Sequence, residues 1–173
     1  MKPNALAFVT TLPNRTWPDP VQPADDAARA LAGQLLSLGH AALAWTDPDT
    51  GTPGISRIAF ARDSDFGLLT LISGLAPHYR ALRANTACAL MLGEVGDKGD
   101  PLTHPRLMVR ANASFVAPDD PLRAALRDRW LDRSPKAQIY IDLPDFAFVR
   151  LTPLNALLNG GFARAFRLSP EDL

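Results

Sequence analysis

The sequence predicts a mainly β protein: an antiparallel β-barrel with a few peripheral helices. Three observations predict it. Short apolar runs recur along the chain, and most follow one another through tight turn chemistry such as Asp47-Pro48-Asp49-Thr50-Gly51. Helical patterns do not alternate with the strands, which argues against βαβ repeats and a doubly wound parallel sheet. The chain has 173 residues, 47% of them apolar and 21% charged, which suits one globular domain with a substantial core.

The elements follow in order. Residues 1–23 contain Pro3, Pro13, Pro18, Pro20 and Pro23 and read as an extended N-terminal arm ahead of a single domain over residues 24–173. Asp25 is suited to cap a helix over residues 27–38, with Ala28, Leu31, Leu35 and Leu38 near helical spacing and Gly39 as its stop. Residues 40–45, 55–61 and 68–73 read as three strands of a hairpin meander, separated by polar turns. Pro77 opens a short helix over residues 77–84, and residues 87–92 form the next strand. After a Gly-, Asp- and Pro-rich loop at 93–105 comes a long strand over residues 106–116. Asp119, Asp120 and Pro121 open a helix through about residue 133, with Leu122, Leu126 and Trp130 on one face, and Pro135 starts another short helix through residue 140. Residues 146–151, 156–159 and 162–168 complete the strands. Leu68-Leu69 and Leu71-Ile72 make one strand apolar on both faces, so it requires cover from helices or from a second subunit. A dimer is expected.

Composition excludes several function classes. Eighteen basic and 18 acidic residues give zero net charge and a pI near 6.8, without the basic stripe of a nucleic-acid partner. The lone Cys88 rules out an intramolecular disulfide and fits a reducing compartment. The apolar run at residues 5–9 is too short for a signal peptide, and no run reaches membrane-spanning length. A cytoplasmic protein without membrane association is expected.

Chemical motifs are sparse. Gly93, Gly96 and Gly99 lack a following helix, and Lys98 lacks the following Ser or Thr of a phosphate loop, so this segment reads as a flexible connection. His40, His78 and His104 lack metal-ligand spacing, and no metal is expected. Cys88, between two alanines, reads as a core residue. Ser73 lacks a nucleophile-elbow context, and no catalytic residue is assigned. The start of the 77–84 helix suits an anion, because His78 and Arg80 lie beside unpaired N–H donors at the positive end of the helix dipole. Alternation sets Ser56, Ile58 and Phe60 on one strand face and Arg57 and Ala59 on the other. Arg57 reads equally as a surface or ion-paired residue and as a grip on an anionic ligand. The run Asn159-Gly160-Gly161-Phe162-Ala163-Arg164 reads as a tight hairpin or as a ligand edge.

Four segments together resemble the flavin-binding split barrels related to pyridoxamine 5′-phosphate oxidase, and within them the haem-utilisation branch. They are Gly54-Ile55-Ser56-Arg57-Ile58-Ala59-Phe60, Leu71-Ile72-Ser73-Gly74-Leu75-Ala76-Pro77-His78, Gly99-Asp100-Pro101-Leu102-Thr103-His104-Pro105-Arg106-Leu107, and Asn159-Gly160-Gly161-Phe162-Ala163-Arg164-Ala165. The resemblance implies a homodimer with FMN at the subunit interface and a small-molecule substrate. It places Ser56, Arg57 and Ile58 beside the cofactor, Ser73 and Leu75 on the next strand end, and His78, Tyr79 and Arg80 near its phosphate. Arg106 and Gly161, Phe162 and Arg164 would close over it. The function implied is an FMN-dependent oxidoreductase. The alternatives are a non-catalytic flavin- or haem-binding module and a dimeric barrel that has lost its cofactor. The branch usually reads His-Thr-Arg-Asn where this chain has His78-Tyr79-Arg80-Ala81, and Gly74 stands where a charged residue is common. Longer members carry a further C-terminal domain. No histidine follows His104, which weakens haem degradation as the expected activity.

Overall fold

The computed structural model describes residues 21–173. Of the N-terminal arm expected over residues 1–23, all but the last three residues lie outside the described ones. In chain order the elements are β1 (Val21–Pro23), α1 (Asp26–Leu36), β2 (His40–Thr46), β3 (Pro53–Ala59), β4 (Ala61–Asp63), β5 (Gly67–Ser73), α2 (Pro77–Ala84), β6 (Ala87–Leu92), β7 (Arg106–Phe115), α3 (Arg123–Arg133), β8 (Phe146–Asn159) and β9 (Ala165–Leu168). The strands join in one sheet of order β1-β9-β8-β7-β6-β2-β3, with β5 pairing β8 and β4. The expected β-barrel with peripheral helices is present as a split barrel whose sheet does not close. One pair, β1 with β9, is parallel, whereas the expectation was antiparallel throughout.

The capping chemistry explains the helices. The Asp25 carboxylate accepts the Ala28 N–H at 2.7 Å, so α1 starts at Asp26. Pro77 occupies the first turn of α2, where its missing N–H costs nothing. The helix expected from Asp119 starts only at Arg123, because the Asp120 side chain accepts the Leu122 N–H at 2.8 Å and holds a turn there. The short helix expected after Pro135 is a 3₁₀ turn, Pro135–Ile139.

The meander ends after β3. The Ala59 carbonyl accepts the Thr70 hydroxyl at 2.7 Å and the Phe60 N–H donates to Gly39 at 3.0 Å, so the chain leaves the β3 ladder. β5 pairs instead with β4 and β8. The two strands expected at 146–151 and 156–159 are one strand, β8. Arg110 and Ala111 of β7 face Asn155 and Pro153, leaving Leu154 as the extra residue of a bulge. Pro153 has no N–H to give a regular ladder, and the bulge accommodates it. The last strand is shorter than expected, since residues 162–164 belong to the turn before β9.

β5 divides two cores. Leu68 and Ile72 pack into the barrel with Leu43, Leu90, Val109 and Leu158. Leu69 and Leu71 pack with Leu126, Trp130, Ile141 and Phe148. Cover for the second face of β5 therefore comes from α3. Each large side chain fully buried this way contributes about 1.5–3 kcal/mol.

At the β4–β5 turn the Asp63 carboxylate, 4% exposed, accepts the N–H groups of Asp65 at 2.9 Å and Phe66 at 3.2 Å and faces Arg129 and Arg133. Desolvation pushes its pKa up, but the two N–H donors and the two guanidinium groups outweigh this and hold it below the ordinary aspartate value. Its contribution to stability is then complete above the unfolded-state pKa of about 3.9 and is lost as pH falls through the lower folded value. Replacement Asp63→Asn is expected to cost roughly 1–2 kcal/mol at neutral pH. It should also flatten the loss of stability below about pH 4, as read from urea melts across the acid range.

Candidate functional site

Strand alternation splits the expected site residues between two sheet faces. Ser56 stands on the row Leu43, Leu90, Val109, Ala156 and Leu168, all buried, so its side chain turns toward the core. Ile58 points the same way and is itself a core residue. Arg57 stands on the opposite face.

On the inner face, the Trp45 indole N–H donates to the Ser56 hydroxyl oxygen at 3.0 Å, and the same oxygen lies 3.0 Å from His78 Nδ1. Trp45 reaches Ser56 because its cross-strand neighbour is Gly54. A Cβ on Gly54 would lie 2.4 Å from the indole. His78 is 9% exposed, and burial pushes its pKa below the ordinary histidine value. The fold thus favours the uncharged ring. Burial works against a positive charge on His78 beside an anion.

The other residues expected around the cofactor near the start of α2 are largely engaged. Arg80 forms an ion pair with Asp49 of the β2–β3 turn. The Ser73 hydroxyl donates to Asp145 at 2.7 Å and accepts the Leu75 N–H at 3.1 Å. Leu75 itself is 88% exposed. Tyr79 packs edge-on against Phe115, with ring centroids 5.0 Å apart, and accepts from Arg83 at 3.2 Å. Near the start of α2, the Ala76 and Tyr79 N–H groups are taken by Ser73 and Ala76 carbonyls, leaving the His78 backbone N–H and ring Nε2 without partners among the described residues.

The outer face differs in character. One row reads Arg57, Ala42, Met91, Met108, Leu157, and the next reads Ile55, Ala44, Ala89, Arg110, Asn155. Ile55 is 77% exposed and Met91 53%. Arg57 and Arg110 have no side-chain partner among the described residues. Between them Ala42, Ala44 and Ala89 form a flat apolar floor. Alanine is not favoured in strands, so propensity does not explain this clustering. Strand spacing and rise put the two arginines roughly 15 Å apart.

Arg106 stands at the end of this face and donates to the Leu102 carbonyl at 2.9 Å. It joins Met91, Met108 and Leu157 in a groove of about 200 Å³. The adjacent turn is a tight hairpin, with Gly160 N–H donating to Arg164 at 2.7 Å and positive φ at Gly161 (115°) and Ala163 (58°). Phe162 projects into solvent at 87% exposure, and the Arg164 guanidinium lies over Phe166.

The structure gives the remaining groups other work. His104 ties its loop: Nδ1 accepts the Gly96 N–H at 3.1 Å and Nε2 lies 3.0 Å from the Lys98 carbonyl. His40 lies 2.7 Å from Glu94. Burial pushes the Cys88 thiol up to about 11, in keeping with an unreactive thiol, though Cys88 is half-buried and packs against the core from outside it. No cluster of His, Cys, Asp and Glu able to hold a metal occurs among the described residues, and no helix there is long and apolar enough to cross a membrane. Trp45, Asp49 and Asp145 were missed from the sequence. Only Trp45 left a signal, through the hairpin register that sets it against Gly54.

The chain is a split barrel with an apolar outer sheet face flanked by Arg57 and Arg110. No protein-family model matches the chain. It is 30% identical over 125 residues to Heme oxygenase HutZ of Vibrio cholerae, covering 71% of this chain and 70% of HutZ. The crystal structure of HutZ, described as a haem storage protein, superposes with a TM-score of 0.64 at 26% identity, over 72% of this chain and 87% of that one. The chain is also 32% identical over 121 residues to the chloroplastic non-canonical haem oxygenase HOZ of Arabidopsis thaliana, covering 70% of this chain. It spans only 36% of that plant relative's length. A Clostridium acetobutylicum protein of the pyridoxinephosphate oxidase family shares the fold, with a TM-score of 0.65 at 16% identity over 87% of this chain and all of that one. The chain belongs to the family of the haem oxygenase HutZ, on a split-barrel fold that it shares with proteins of the pyridoxinephosphate oxidase family.

The Gly54–Trp45 contact sets a test of the inner face. Replacement Gly54→Ala should displace the indole and break its bond to Ser56. Thermal unfolding is expected to show a loss of roughly 1–3 kcal/mol, with a change in tryptophan fluorescence.

Proposed function

We propose that this chain binds haem against the outer face of the sheet and that a second copy closes that face. The observation that carries this reading is the flat alanine floor between Arg57 and Arg110. A haem is a planar apolar macrocycle bearing two carboxylates. The floor has no side chain tall enough to keep a plane away, Met91 and Met108 supply soft apolar contact, and unpaired arginines suit carboxylates. His40 stands on the same face at its end and is half-exposed, unlike the buried His78. The names of the relatives, a haem oxygenase and a haem storage protein, support the cofactor class. Bound haem would supply iron for oxygen chemistry. The residues of this chain would bind it, orient it and keep water from its lower face.

A homodimer follows from the same face. Ile55 and Met91 are too exposed for a face left to water. A second copy laid on the sheet would cover them and enclose the ligand.

FMN is the second reading, and one observation favours it. The His78 backbone N–H and ring Nε2 remain without partners at the start of α2, where a phosphate gains from the helix dipole. Arg80 would have to leave Asp49 to assist. On this reading the chain is a flavin-dependent oxidoreductase of a small molecule.

The absorbance of the purified protein separates the two. Added haem is expected to give a saturable Soret shift on a dimer, and the preparation should carry no stoichiometric flavin. Replacement Arg57→Ala should weaken haem roughly tenfold, the scale of one charged hydrogen bond, and Ala89→Phe should abolish the shift by filling the floor. Unchanged haem affinity in both variants, or stoichiometric FMN in the native protein, would contradict the reading.

A further inference from the structure

We propose that Trp45 is a positioning residue: acting through Ser56, it fixes the ring proton of His78 on Nε2 and makes that nitrogen a hydrogen-bond donor.

Donors and acceptors around Ser56 match in one way only. The indole N–H can only donate, so at 3.0 Å the Ser56 oxygen must accept from it. The Ser56 hydroxyl hydrogen is then left to find an acceptor. Its neighbour among the described residues is His78 Nδ1, also at 3.0 Å. If Nδ1 carried the proton, the Ser56 oxygen would accept twice and its own hydrogen would point at nothing in a part-buried site. One arrangement satisfies every group: indole to Ser56, Ser56 to Nδ1, and the ring proton on Nε2. His78 is 9% exposed, and its Nε2 has no partner among the described residues and is not sealed from solvent, so that N–H is free to donate.

Gly54 makes the device possible. Any Cβ there would occupy the place of the indole, and Trp45 could not lie across the strand to Ser56. Gly54, Ser56 and Trp45 therefore act as one unit with a single output, the orientation and tautomer of His78.

The consequence is chemical. With its proton on Nε2, and its Nδ1 lone pair held by Ser56, His78 offers no free lone pair to a metal. It offers an N–H to an oxygen, such as a carboxylate, a phosphate or a carbonyl. Which oxygen it meets depends on what occupies the start of α2. The tautomer does not.

The test uses the full chain with ¹⁵N-labelled histidine and no added ligand, read by NMR. In the native protein His78 Nδ1 is expected to resonate as a pyridine-type nitrogen and Nε2 as a pyrrole-type one. Replacement Trp45→Phe should shift the tautomer ratio roughly fivefold toward Nδ1–H, the scale of one neutral hydrogen bond. Ser56→Ala should do the same, and Ser56→Thr, which keeps the hydroxyl, should retain the native ratio. The serine pair carries the test if the tryptophan variant fails to fold. A native protein with Nδ1 protonated, or one ratio shared by native, Trp45→Phe and Ser56→Ala proteins, would overturn the proposal. A chain that shows the expected tautomer but takes up no haem keeps this inference and loses the reading of the outer face.

Discussion

The architecture depends on the ladder between β7 and β8. β8 pairs with β5 over residues 146–150, with β7 over 149–159 and with β9 over 156–159. One strand thus belongs to both halves of the barrel, and it can do so only by bending. The bend comes from the bulge that leaves Leu154 unpaired beside Pro153, since an extra residue on one strand coils the sheet and relieves proline of a ladder bond it cannot make. On one side of the bend β5 and α3 close the smaller core around Trp130 and Phe148. On the other, the long inner rows of β2, β6, β7 and β8 fill the barrel.

Because that sheet is curved but not closed, it keeps a face turned away from the barrel. The period of two along each strand then divides labour between adjacent residues. Ser56 faces inward and joins Trp45 and His78. Its neighbour Arg57 faces outward beside Ala42 and Met91. A one-residue slip of β3 would exchange the two roles. The β2–β3 turn guards against that slip, since Asp47 accepts the N–H groups of Asp49 and Thr50, each at 2.9 Å, and Gly51 takes a positive φ of 70°. The same register sets Gly54 under the Trp45 indole.

Local chemistry was legible in the sequence and long-range pairing was not. The bounds of α2 and β6 follow from Pro77 and from the apolar run 87–92, and the structure has them there. Pro153 made one strand look like two, because its cost is local while the β7 partner that absorbs it is distant in sequence. Ser73 finds Asp145 72 residues away and Arg80 finds Asp49 31 residues away. No spacing rule reaches such partners, and both engage groups that the resemblance places around the cofactor. His78 was set beside an anion from its place in a helix's first turn, but burial, which lowers its pKa, is a tertiary property. The alanines of β2 and β6 were visible all along. Their meaning emerged only when the register set Ala42, Ala44 and Ala89 side by side.

The haem site proposed above is the outer sheet face and not the start of α2. Methyl NMR during addition of paramagnetic haem distinguishes the two places. Strong broadening of the Met91, Met108 and Ile55 methyl signals is expected, while those of Leu126 and Ile141 in the smaller core stay sharp. Broadening centred on Leu75 and Leu82 of the α2 region, with the Met91 and Met108 methyls unaffected, would contradict it.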